Sequence, residues 1–219
     1  MKVLVACEES QAVCKAFRER GHEAYSCDII ECSGGHPEWH IQDDVLSLIN
    51  GHCSFMTCDG EWHNISEKWD LIIAHPPCTY LSNAGAARLY PQKGKLNMER
   101  YQKGLEAKEF FMHFYNADCS KIAIENPIPT RVFELPPYSQ TIQPYEHGHP
   151  YSKKTCLWLK GLPKLTPTKQ VEPICSWVSG GSKDNNGNKR KNCGMTFRDS
   201  KTKSKTFPGI AKAMAEQWG

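Results

Sequence analysis

The sequence predicts an α/β fold built on a mainly parallel, doubly wound sheet. Three observations carry that expectation. Short apolar runs at residues 2–7 (KVLVAC), 69–74 (WDLIIA) and 121–125 (KIAIE) have the length and composition of parallel strands buried on both faces. Stretches of helical periodicity separate these runs. Each run also stops at a polar or proline-rich segment, where open α/β sheets place their ligands.

In order along the chain, the run at 2–7 is the first strand. Ser10 is the expected N-cap of a helix over 11–20, with Val13, Ala16 and Phe17 on one face and Gly21 as its stop. Residues 23–28 (EAYSCD) form a second strand ending in an acid, so the chain opens β–α–β. Residues 32–40 read as a loop, 44–49 as a short helix and 51–68 as a polar insertion. The strand at 69–74 ends at His75-Pro76-Pro77. Tyr101, Leu105, Phe111, Met112 and Tyr115 recur at helical spacing and predict a helix over 97–116. The strand at 121–125 ends at Asn126-Pro127. Residues 155–159 (TCLWL) are a further strand, and Ile210, Met214 and Trp218 mark a final helix over 210–218.

At 219 residues and 24.8 kDa, the chain suits one domain or a domain with an appended lobe. With 39% hydrophobic and 23% charged residues it is not a disordered chain. No apolar run approaches the ~18–20 residues of a transmembrane helix. The N-terminus turns acidic at residue 8, too early for a signal peptide, so a cytoplasmic location is expected. Eleven cysteines, scattered and without a C-x-x-C pair, read as small core residues of a reducing compartment. His52, Cys53, Cys58 and His63 match no common zinc spacing and read as a polar surface loop, so no metal is expected.

The strand ends hold the unusual residues: Cys7-Glu8-Glu9-Ser10, Asp28, His75-Pro76-Pro77-Cys78 and Glu125-Asn126. Their order resembles that of the cytosine C5-methyltransferases, which pair a Pro-Cys nucleophile loop with a later Glu-Asn strand end. The sequence is most similar to a compact phage and prophage group of that superfamily. The matching segments are residues 5–10 (VACEES), 74–79 (AHPPCT), 124–128 (IENPI), 155–163 (TCLWLKGLP) and 207–218 (FPGIAKAMAEQW). The resemblance implies a Rossmann-like, class I methyltransferase-like sheet and S-adenosylmethionine as cofactor.

It also implies roles. Cytosine C5 is too weak a nucleophile to take a methyl group directly, and a thiolate adding at C6 activates it. Cys78 matches that nucleophile, with backbone N–H groups after Pro77 expected to lower its pKa. Glu125 matches the group that bonds or protonates ring N3, which calls for a carboxyl of raised pKa. Asn126 and Pro77 would hold the loop. Cys7, Glu8, Glu9, Ser10, Asp28, Ile29, Asp44, Val45, His75, Pro76, Thr206 and Phe207 match the cofactor side. There Asp28 would meet the ribose, Asp44 the adenine, and Thr206 and Phe207 the methionine end. Lys153, Lys154 and Thr155 stand where two arginines usually hold the base, and a lysine lacks the bidentate fork. The usual glycine-rich turn after the first strand is replaced by Cys7-Glu8-Glu9-Ser10.

The resemblance implies DNA as substrate, with the target base flipped out of a duplex. RNA or a free pyrimidine nucleotide is the alternative, since only about forty residues replace the usual recognition domain. A catalytically weak nucleic-acid-binding relative is the other. The expected organisation is a catalytic domain at 1–163, a loop-rich basic segment at 164–205 and a returning helix at 206–219.

The formal net charge of +3 hides an asymmetry. Residues 183–205 hold eight Lys/Arg against two Asp, a net of +6, leaving −3 on the other 196 residues. Lys189, Arg190, Lys191 and Arg198 are the expected phosphate contacts. Neutralising Lys189, Arg190 and Lys191 together is expected to weaken DNA binding and flatten its salt dependence, read by binding titrations at several salt concentrations. Unchanged binding would reduce the segment to a solvated loop.

Overall fold

The computed structural model describes residues 1–177 and 200–219, the side chains of residues 200 and 201 excepted. The predicted contacts Lys189, Arg190, Lys191 and Arg198 lie outside the described residues. The strands are β1 (Lys2–Ala6), β2 (Glu23–Asp28), β3 (His40–Gln42), β4 (Cys53–Met56), β5 (Trp62–Ile65), β6 (Leu71–Ala74), β7 (Ile122–Pro127), β8 (Gln140–Ile142), β9 (Tyr151–Ser152), β10 (Thr155–Lys160) and β11 (Cys175–Ser176). The helices are α1 (Ala12–Arg18), α2 (Ala86–Leu89), α3 (Met98–Tyr115), α4 (Ser200–Ser204) and α5 (Pro208–Trp218).

Seven strands form one sheet in the order β3-β2-β1-β6-β7-β10-β8. The first five are parallel, and β10 runs antiparallel to both β7 and β8. This is the Rossmann-like, doubly wound α/β fold that the sequence predicts. The chain winds outward from β1 to β3, then returns to β6 on the other side of β1. The gap between the carboxyl ends of β1 and β6 is therefore a topological switch point, where such sheets bind ligands.

Strand alternation builds two cores. Leu4, Ala6, Ile72, Ala74, Ile122, Ile124 and Trp158 join the layer under α3. Val3, Val5, Leu71, Ile73, Ala123 and Leu157 join the layer under α1 and α5. Successive residues point to opposite faces, so a strand buried on both faces must be apolar throughout.

The structure corrects several expectations. The N-cap position of α1 is Gln11, in the left-handed region at φ 56°, not Ser10. The insertion at 51–68 carries a hairpin of β4 and β5 whose Phe55 and Ile65 are buried. His63 sits in that hairpin between the Tyr25 and Thr57 hydroxyls, at 3.0 Å from each. Residues 44–49 form only a 3-10 turn, Val45–Ser47. The short strands β3 and β8 were not anticipated. Among the described cysteines nine are free, only four of them buried, and Cys175 is disulfide-bonded, so fewer are core residues than the expectation of mostly small core cysteines. No described helix is long and apolar enough to cross a membrane.

The long helix α3 is capped by Asn97, whose side chain accepts from the Arg100 amide at 3.0 Å. It packs across the segment that follows β7. Gly104 on α3 lies directly under the buried Phe133 ring, where an added Cβ would fall 2.0 Å from Cζ. Gly104→Ala gains about 1 kcal/mol of helix propensity but overpacks this contact, typically at about 1–3 kcal/mol. Net destabilisation is expected in urea titrations, with relief in the double variant carrying Phe133→Leu.

Candidate active site

The loop between β1 and α1 is built by buried polar groups. Cys7, at φ 58°, and Gln11 adopt the left-handed conformation that glycine adopts without penalty. For other residues it costs about 1–2 kcal/mol each. Glu8 offsets this by turning its carboxylate inward. Its two oxygens accept from the Val13 and Cys14 amides at 2.7 and 3.1 Å, satisfying first-turn donors of α1. Burial raises the Glu8 pKa, against the opposing effects of His75 and those two amides. The Gln11 amide clasps the His36 backbone, donating to its carbonyl at 2.8 Å and accepting from its N–H at 3.0 Å. Gly34 fits against Gln11 because a Cβ there would lie 2.5 Å from the Gln11 side chain.

Across the switch point, His75 follows β6 and Glu125 lies near the end of β7. The two pair through Nδ1 and Oε2 at 2.9 Å, with each side chain only 12% exposed. Burial disfavours the imidazolium, yet the hydrogen bond and charge of Glu125, with Glu8 beyond, leave the His75 pKa raised. Burial likewise disfavours the carboxylate, yet His75 and Lys153 leave the Glu125 pKa lowered. The two directions agree on an imidazolium–carboxylate pair. They overturn the expectation that Glu125 holds a raised pKa, because a strand-end carboxyl was read without its cationic partners.

Asn126 is 1% exposed and donates from Nδ2 to the Pro76 carbonyl at 2.8 Å, tying the proline loop to β7. Among the described residues its Oδ1 and the His75 Nε2 are buried with no partner. Buried polar atoms are ordinarily paired, so both are places for a ligand. Cys78 is partly exposed. Burial first, and the Glu125 charge second, raise its pKa, with Lys153 opposing. The expectation of a thiol activated by neighbouring amides is therefore corrected: at rest the Cys78 thiol holds its proton.

Lys153 carries the cation of the site. Its charge acts on Glu125, His75 and Cys78. Its Nζ donates to the Ser204 carbonyl at 3.4 Å and stands 6.0 Å from the Phe207 ring centre. Lys154 is exposed, and the Thr155 hydroxyl donates to the Lys153 carbonyl, so neither joins the group.

No family model matches the chain, and no curated protein matches it. Among solved structures, it is similar to an E. coli prophage-encoded protein assigned as a DNA modification methyltransferase. That pair is 13% identical with a TM-score of 0.45, covering 78% of this chain and 52% of the other. A methyltransferase of Entamoeba histolytica is 14% identical, with a TM-score of 0.43 and coverage of 78% and 57%. A variant of DNMT2 from Spodoptera frugiperda is 15% identical, with a TM-score of 0.39 and coverage of 84% and 60%. The chain thus spans between about half and three fifths of the length of these proteins.

The residues expected on the cofactor side fall into three sets. Cys7, Asp28 and Asp44 share one neighbourhood: both acids raise the Cys7 thiol, behind the larger effect of burial. Asp28 ends β2 half-buried, its pKa raised by burial against the Ile30 amide, and Ile29 beside it is 75% exposed. Ser10, Thr206 and Phe207 line a cavity of about 630 Å³ on the α1 and α5 side, together with Lys15 and Lys205. His75 and Pro76 belong to the third set, with Glu125. Glu9 is buried in the turn. Two residues depart from their expected role: Val45 is buried in the core, and Glu8 caps α1. The cap was legible as an acid just before a helix, but its inward direction was not.

Glu8→Ala leaves two buried amides without an acceptor and is expected to cost about 1–3 kcal/mol in chemical denaturation. Glu8→Gln keeps one acceptor and should cost less. Equal losses in the two variants would remove the capping role.

Proposed function

We propose that the protein is an S-adenosylmethionine-dependent methyltransferase acting on C5 of cytosine in DNA. The observation that carries this reading is a thiol, a buried carboxylate and an unmet amide acceptor converging at the ends of the neighbouring strands β6 and β7. The motif resemblance supports it independently.

The residues fit the cofactor. Asp28 presents a half-buried carboxylate for a diol, and Ile29 and Ile30 present exposed apolar surface for a flat base. Asp44 lies near the same turn, and Ser10, Thr206 and Phe207 line a cavity of a size typical for small ligands. When bound, the cofactor supplies an electrophilic methyl group.

The chain's own groups do the rest. Cys78 loses its proton and adds through Sγ to C6 of the ring. Glu125 delivers a proton to N3 as negative charge builds there. Asn126 Oδ1 accepts from the exocyclic amine of cytosine, which distinguishes that base from thymine, whose O4 is an acceptor. Lys153 stabilises the thiolate and the carboxylate. Residues 164–205 serve as a reduced recognition segment between the catalytic part, 1–163, and the closing helix, 206–219.

Incubation with labelled cofactor and, separately, duplex DNA, RNA or dCMP tests the substrate, with label expected in DNA. Cys78→Ala should abolish transfer and leave cofactor affinity in calorimetry unchanged. Glu125→Gln should lower kcat by roughly 10²–10⁴-fold. Because burial and the Glu125 charge raise the Cys78 pKa, activity should rise with pH toward that raised value as the thiolate forms. Activity retained by Cys78→Ala overturns the mechanism. Absent cofactor binding instead favours a non-catalytic nucleic-acid-binding protein, a reading supported by the side chains filling the β1–α1 turn.

A further inference from the structure

The pairing of His75 with Glu125 has no counterpart among the roles that the motifs assign. We propose that His75 is the proton reservoir behind Glu125: its imidazolium supplies, through Nδ1, the proton that the Glu125 carboxylate hands to the pyrimidine at N3. The inference rests on the proposed methyl transfer and adds the source of its proton.

Four observations carry it. The Nδ1–Oε2 contact is 2.9 Å between two side chains each 12% exposed, so the proton passes between them without bulk water. His75 is flanked by acids on two elements, Glu125 on β7 and Glu8 in the β1–α1 turn, with Lys153 beside β10 as the opposing cation. Cys78, on the loop that carries His75, also feels the charges of Glu125 and Lys153. The Asn126–Pro76 hydrogen bond at 2.8 Å fixes the loop that carries His75 against the strand that carries Glu125, which holds donor and acceptor in register. Finally, His75 Nε2 is buried without a partner among the described residues. An unmet buried nitrogen costs about 1–3 kcal/mol, so the ring is held by its pairing with Glu125 rather than by a complete set of hydrogen bonds.

The proton count closes. The Cys78 thiol gives its proton to water, and Sγ forms its bond to C6. The C5=C6 electron pair moves to C4=C5, and the C4=N3 pair moves to N3. His75 Nδ1 passes its proton to the Glu125 oxygen, which hands it on to N3, leaving a carboxylate and a neutral imidazole. C5 would then take the methyl group that the bound cofactor supplies, its C4=C5 pair forming the new C–C bond as the methyl–sulfur bond breaks and C4=N3 is restored. On elimination the C5 proton leaves to water, its electron pair forms C5=C6, Sγ departs with the C6–S pair, and the N3 proton passes back through Glu125 to His75.

The first test needs no substrate. Proton–nitrogen NMR of the ¹⁵N-labelled chain, with His75 assigned by its loss in His75→Gln, should show a doubly protonated ring persisting above the ordinary histidine range near ~6.5. In Glu125→Gln that titration should fall to or below the ordinary value. A ring that stays neutral at pH 6, or one indifferent to Glu125→Gln, overturns the proposal whether or not methyl transfer is found.

The second test is kinetic, on duplex DNA. His75→Gln keeps an N–H for Glu125 but has no proton to give. Its kcat should fall on the order of 10²-fold, the low end for acid–base groups. The wild-type rate should fall at alkaline pH as the imidazolium is lost, and His75→Gln should lack that limb. A His75→Gln protein with wild-type kcat and pH profile refutes the reservoir. A wild type that transfers no methyl to DNA, RNA or dCMP refutes the underlying methyltransferase reading instead.

Discussion

Burial of β1, β6 and β7 on both faces is the constraint on which the rest of the structure depends. Val3, Leu4, Val5 and Ala6 in β1, and Leu71, Ile72, Ile73 and Ala74 in β6, are fully buried. An unpaired charge inside such a layer costs several kcal/mol or shifts to its neutral form. Every ionisable group that the function needs is therefore displaced to a strand end. The parallel arrangement then aligns those ends on one edge. The switch point between β1 and β6 opens a gap there, and Glu8, His75 and Glu125 gather around it.

The β1–α1 turn shows how much of that edge is held by unusual means. Left-handed backbone at Cys7 and Gln11 would be strained in isolation. The surroundings over-determine it. Glu8 binds the first turn of α1, Gln11 binds the His36 backbone, and Gly34 lies against Gln11 with no room for a side chain. A glycine turn would leave the backbone open to a ligand. Here side chains occupy that space, and the cavity lies instead beside Ser10, Thr206 and Phe207.

Electrostatics decide the chemistry of the edge. Two acids and two bases, Glu8, Glu125, His75 and Lys153, share a largely dehydrated region where charges interact more strongly than in water. Glu125 and Glu8 favour the His75 imidazolium, while His75 and Lys153 favour the Glu125 carboxylate. The charge of Glu125 stabilises the imidazolium while disfavouring the thiolate of Cys78. The cleft rests with its carboxylate ionised and its thiol protonated.

The sequence by itself determined the central strands, the long helix α3, the returning helix α5 and the positions of Cys78, Glu125 and Asn126. These are local signals: an apolar run bounded by His-Pro-Pro or Asn-Pro needs no partner to be recognised as a buried strand and its end. The short strands β3 and β8 were not legible, because three residues carry no periodicity and exist only by pairing with a neighbour. The hairpin of β4 and β5 was hidden because only its Phe55 and Ile65 face the core. What the tertiary structure alone decided is the state of the site. His75 and Glu125 stand fifty residues apart and meet only because β6 and β7 are neighbours in the sheet. A carboxyl at a strand end reads as a neutral acid in isolation. Beside an imidazole at 2.9 Å and a lysine it becomes a carboxylate, because its charge is set by what the fold brings near it.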